Sequence, residues 1–129
     1  MEWKFVKKTN IDNIRKVEYQ TGFSIPEDLK KVILDYNSGY PTFSCYDTIE
    51  EQGKEIKKLL SFNEEDSENI YMFFNFYEET KLFPFADDSA GNLICLDMTN
   101  VVFWNHETLE KTYIANSVTE FLSKLYEGE

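Results

Sequence analysis

The sequence predicts an α+β fold, in which a central, mainly antiparallel sheet is covered by helices within a single domain spanning residues 1–129. Three observations support this expectation. Amphipathic helical patterns open the chain, short apolar stretches punctuated by turn residues fill its second half, and another helical pattern closes it. A chain of 129 residues suits one domain, which at this size buries about two thirds of its surface. With 42% hydrophobic and 16% aromatic residues, the chain is far too apolar to be disordered.

In chain order, Asn10 caps a helix carrying Ile11, Ile14 and Val17, and Gly22 ends it by supplying a left-handed residue. A second helix starts with Pro26 at its first helical position and Glu27 and Asp28 in the turn where the dipole favours acids. Its apolar face is Leu29, Val32, Ile33 and Tyr36, and Asn37-Ser38-Gly39 stops it. Residues 43–46 form the first strand. Thr48 and Glu51 have capping-box spacing, so a helix bearing Ile49, Ile56, Leu59 and Leu60 is expected next, with Gly53 as a weak point. The run NEEDSEN (63–69) has no apolar residue and reads as a mobile surface loop. IYMFFNFY (70–77) fits a helix or a strand. Residues 93–98 and 101–104 are strands joined tightly through Thr99-Asn100, a further strand lies near 112–115, and Ser117 with Glu120 caps a last helix bearing Val118, Phe121, Leu122 and Leu125.

The charge constrains the partner. Twenty-four acids against 13 bases give −11, and residues 47–79 alone carry −7. Such a field repels nucleic acid and anionic membranes and attracts basic proteins. Cys45 and Cys95 have neither zinc-site spacing nor a nearby histidine, which points to buried free thiols. With no apolar stretch for a signal peptide or a membrane span, a cytoplasmic location is expected.

The chemistry-bearing stretch is PFADDSAGN followed by LICLDM and VVFWNHET. A calcium loop starting at Asp87 would require a glutamate at its twelfth position, where Met98 stands, so no metal or cofactor is expected. An enzyme using Asp87, Asp88 and His106 is the third-ranked reading, because the chain has no nucleophile elbow, phosphate loop or metal-binding helix motif. Recognition ranks first: Tyr40, Tyr46, Tyr71, Tyr77, Trp104 and Tyr113, flanked by carboxylates, suit an interface with a basic protein.

The residues then show a resemblance to the SUKH superfamily, which includes bacterial immunity proteins and fungal cell-wall regulators of the Smi and Knr type. The opening, IDNIRKVEYQTGFSIPEDLKKVILDYNSG, resembles the family's first hallmark through Glu18, Gly22, Ile25, Pro26, Leu29, Asn37 and Gly39. PFADDSAGNLICLD is similar to the second hallmark, with Asp88, Gly91, Asn92 and Asp97. VVFWNHE is similar to the third, with Trp104, Asn105 and His106. The chain departs from the family at Ser38, where a glycine is usual. The resemblance implies the α+β fold and a non-enzymatic immunity protein that neutralises a toxin domain, often a nuclease, by occluding its basic cleft. A regulatory scaffold of the Smi and Knr type is the alternative. The expected contact residues are Glu50, Glu51, Glu64, Glu65, Asp66 and Asp87. The DDSAGN turn is expected to lead into a strand, with its backbone fixed by Asp88 and Asn92.

Overall fold

The structure, a computed structural model, describes residues 1–128. Its elements are β1 (Trp3–Lys4), α1 (Ile11–Thr21), α2 (Glu27–Tyr36), β2 (Tyr40–Pro41), β3 (Cys45–Tyr46), β4 (Lys54–Glu55) and β5 (Lys58–Leu59). After a 3-10 turn (Ile70–Phe73) come α3 (Phe74–Thr80), β6 (Phe83–Asp87), β7 (Leu93–Asp97), β8 (Asn100–Trp104), β9 (Lys111–Ala115) and α4 (Val118–Ser123). The main sheet has the order β5-β6-β7-β8-β9, with every neighbouring pair antiparallel, and β1-β2 and β3-β4 form two small ribbons. The α+β fold is therefore as expected.

Period-two alternation gives each sheet face its own core. Ile94, Leu96, Val101 and Phe103 face a large cluster with Ile14 and Val17 of α1, Leu29 and Ile33 of α2, and Val118 and Phe121 of α4. Leu93, Cys95 and Val102 point the other way, to Leu82, Phe73, Phe76 and Trp104. Both faces are covered, so LICL reads as one apolar run. Cys45 and Cys95 are buried free thiols.

The helix termini follow the sequence closely. Asn10 accepts from the Asn13 amide at 2.9 Å, Gly22 takes φ 75, and Ser117 accepts from the Glu120 amide at 3.0 Å. Pro26 sits one position earlier than expected, as the residue before α2, with an extended ψ of 149. The β7–β8 connection is Met98-Thr99, one residue upstream of Thr99-Asn100, because Asp97 pairs with Asn100 and Met98 absorbs the positive φ of 59. IYMFFNFY resolves into the 3-10 turn leading into α3.

Two expectations fail. No helix forms over 48–60. Thr48 Oγ1 does accept from the Glu51 amide at 3.0 Å, but Gly53 takes φ 71 and the chain extends into β4 and β5. Ile56, Leu59 and Leu60 still reach the core, from extended backbone, while Ile49 points to solvent. Nor is 63–69 a loosely held loop: Asn63 is buried and Asp66 and Glu68 are tied inward. The β1-β2 ribbon has no signal in the sequence, because two paired residues carry no periodicity. It is fixed by Trp3 stacked on Tyr36 at 5.1 Å.

Candidate partner-binding surface

Asn37 explains the helix-stopping hallmark. Fully buried, it donates through Nδ2 to the Lys7 carbonyl and to Ser61 Oγ, both at 3.0 Å, and accepts from the Phe62 amide at 2.8 Å. One side chain thus joins the N-terminal arm, the end of α2 and the segment after β5. Ser38 holds φ 66, a left-handed conformation that glycine adopts at less cost, and a Cβ on Gly39 would lie 2.7 Å from the Tyr36 carbonyl oxygen. The earlier part of the same opening is equally structural: Glu18 accepts from the Ile25 amide at 2.8 Å, and the Gly22 amide closes onto the Glu18 carbonyl at 2.8 Å.

In the DDSAGN turn, Asp88 Oδ1 accepts from the Ala90 and Asn92 amides at 2.9 and 2.8 Å, and its Oδ2 accepts from Asn92 Nδ2 at 3.0 Å. Asn92 Oδ1 in turn accepts from the His106 amide at 3.0 Å, and the His106 ring lies over Gly91. The geometry therefore connects Asp88, Asn92 and His106 through the His106 backbone. Among the described residues, no three histidine, cysteine or acidic side chains converge as a metal site would need. Asp97 binds Lys111 at 2.6 Å, and Trp104 meets Phe76 edge-on at 4.7 Å.

Asp87 is turned inward instead of toward a partner. It ends β6 opposite Lys58, and its Oδ1 is buried with no hydrogen-bond partner among the described residues. Burial pushes its carboxyl up to about 6, against the pull of Lys57 and Lys58. Asp66 is also engaged inside: its Oδ2 accepts from Ser61 Oγ at 2.6 Å and from Asn63 Nδ2 at 3.1 Å. Burial opposes its charge, but those bonds and the Lys7 and Lys58 charges win and hold it below the usual carboxylate range. Glu64 pairs with Lys16 at 2.8 Å on the surface, and Glu65 is exposed.

The other acidic stretch is wired differently. Asp47 Oδ1 accepts from the Gly53 amide at 2.9 Å and from the Tyr126 hydroxyl at 2.5 Å, so 47–53 is a closed turn. It holds Ile49 93% exposed, with Glu50 and Glu51 in solvent beside it. Facing it is the β8–β9 connection, 105–110, where Asn105 accepts from the Glu107 and Thr108 amides. That turn presents Leu109, 69% exposed and strained at φ 62. Between the two turns runs a groove of about 180 Å³ lined by Glu50, Glu51, Lys54, Phe103, Glu110 and Thr112, among others. Lys54 lies on its floor, 3.8 Å from the centre of the Phe103 ring and 3.4 Å from Glu51.

The expected rings are mostly core. Tyr46 is buried against Phe121, Tyr77 packs on Phe23 and Phe83, and Tyr40 and Tyr71 are half-buried; of the six, Tyr113 is the one exposed to solvent. Sequence reading missed Ile49 and Leu109, because one exposed aliphatic residue in a polar turn looks like any other until its solvent exposure is known.

No helix among the described residues is long and apolar enough to cross a membrane. No curated protein matches the chain. The SUKH_6 family model, described as SMI1-KNR4 cell-wall, matches residues 11–122. That span contains Glu18 and Gly22, Asn37 and Gly39, the Asp88–Asn92 turn and His106, whose packing and hydrogen bonds have just been described, and the chain belongs to this SUKH family.

Proposed function

We propose that the chain is a non-enzymatic immunity protein that binds a bacterial toxin domain and neutralises it by covering a basic cleft, with a nuclease as the fitting class. The observation that carries this reading is membership of the SUKH family in a chain of net charge −11. A nuclease cleft attracts phosphate, so an acidic protein competes for it and is steered there at long range. The exposed carboxylates of Glu50, Glu51, Glu64 and Glu65 supply the field, whereas Asp66 and Asp87 act within the fold. No bond is made or broken by the immunity protein. It acts where the toxin arrives, in the cytoplasm of the protected cell.

The test is a titration against the C-terminal domain of the secreted protein encoded directly upstream, at low and high salt. Tight binding that weakens with salt supports the reading. No binding at either salt would end it and favour the regulatory scaffold that the cell-wall description of the family suggests.

A further inference from the structure

Beyond the general surface charge, the open edge of the main sheet stands beside the most accessible apolar side chains of the acidic turns. β9 ends the strand order, so its outer side has no neighbouring strand among the described residues. The Asn105 amide donates to the Glu110 carbonyl at 3.0 Å, which fixes the phase of the β8–β9 ladder. Alternation then turns the N–H and C=O of Lys111 and Tyr113 outward, as unpaired strand-pairing groups. Thr112, between them, lines the groove whose walls carry Glu50, Glu51 and Glu110 and whose floor is Phe103. Ile49 and Leu109 stand on the two turns forming those walls, each held out in solvent by a hydrogen-bonded loop. Lys54 shows how the groove treats a cation: its ammonium lies over the Phe103 ring beside a carboxylate.

We propose that this edge and groove form the docking site for an extended, basic segment of the toxin domain, added to the sheet as a sixth strand beside β9. The proposal rests on the immunity reading and specifies its contact. The segment's backbone pairs with Lys111 and Tyr113. Its lysine or arginine side chains enter the groove against Glu50, Glu51 and Glu110, and its apolar residues cover Ile49 and Leu109. Three carboxylates against the single Lys54 ammonium select a cationic segment over an acidic one. The acids of 63–69 contribute only to steering, since Asp66 and Glu68 are bound inside.

The test uses the full chain and the upstream-encoded toxin domain. Glu50→Lys with Glu110→Lys should raise Kd at least about a hundredfold, mainly by faster dissociation, and Ile49→Ser with Leu109→Ser about tenfold. Glu64→Lys with Glu65→Lys should slow association only a few-fold and leave dissociation unchanged. In the wild-type complex, the Lys111 and Tyr113 amides should exchange with solvent far more slowly than in the free chain. Wild-type binding combined with unaltered dissociation of the groove variants, or with unprotected Lys111 and Tyr113 amides, would refute this docking site and leave the immunity reading standing. Failure of the wild type to bind would remove both.

Discussion

The two acidic stretches, 47–55 and 63–69, look alike in composition but do opposite things. In 63–69 two of the four carboxylates are structural parts: Asp66 closes on Ser61 and Asn63, and Glu68 holds Lys57 at 3.2 Å and Lys58 at 3.6 Å, while Glu64 and Glu65 stay exposed. In 47–55 Asp47 is the carboxylate that holds its turn closed, Lys54 lies in against Phe103, and Glu50, Glu51 and Glu55 are exposed, with Ile49 at the tip. Acidic composition alone does not separate carboxylates left in solvent from carboxylates that hold the fold. The difference is what lies beneath each stretch. Beneath 63–69 are the buried Asn37 and Ser61 and the paired lysines Lys57 and Lys58, while beneath 47–55 is a groove at a sheet edge.

The change expected to break this contrast most severely is Asn37→Ala. It leaves the Phe62 amide and the Lys7 carbonyl without the Asn37 side chain and removes one of the bonds to Ser61, so stability should fall by about 2–4 kcal/mol in urea unfolding. The 47–55 turn should keep its amide chemical shifts. A loss below about 0.5 kcal/mol would show that 63–69 is held by something other than this network.

Asp87→Asn should act in the opposite direction. The folded carboxyl is pushed up to about 6 from an ordinary 3.8, so the folded state holds the proton more tightly than the unfolded chain. Stability therefore declines as pH rises from about 4 to about 6, and the cost of the buried charge is fully present above that. The variant should gain about 2–3 kcal/mol at pH 8 and nothing below pH 4, as read from melts across that range. An equal effect at both ends would show that charge is not the cause.

Asp66→Asn should cost about 1–2 kcal/mol at neutral pH, through weaker bonds from Ser61 and Asn63. Its carboxyl is held below the ordinary range, so its contribution is present above about pH 4 and fades as acid protonates it. The smallest effect belongs to the other stretch. Ile49→Ser should change stability by less than about 0.5 kcal/mol, because a side chain already in solvent has no burial to lose. A larger loss would mean that Ile49 supports the turn instead of being presented by it.

Much of this was legible in advance wherever the signal was local. Asn10, Gly22 and Ser117 mark helix ends because capping needs only a few neighbouring residues. Asp88 and Asn92 were readable as a turn for the same reason. Position 48 misled through that same locality: Thr48 makes its cap-like bond, but a cap without a compatible segment behind it closes a turn and starts no helix. Of the expected contact residues, Glu50, Glu51, Glu64 and Glu65 are exposed, while Asp66 bonds to Ser61 and Asn63 and Asp87 is turned inward by the pairing of β6 with β5. Adjacent aspartates 87 and 88 look equivalent as letters; strand pairing puts one inside and leaves the other in the turn.

By itself, the sequence determined the α+β class, the capped ends at Asn10, Gly22 and Ser117, the DDSAGN turn and the family resemblance, because periodicity, capping and turn chemistry act over a few residues. Tertiary structure alone decided which acids face solvent, which rings are core and that β9 is an open edge beside a groove. Those are properties of burial and strand order, and both are set by contacts between residues tens of positions apart.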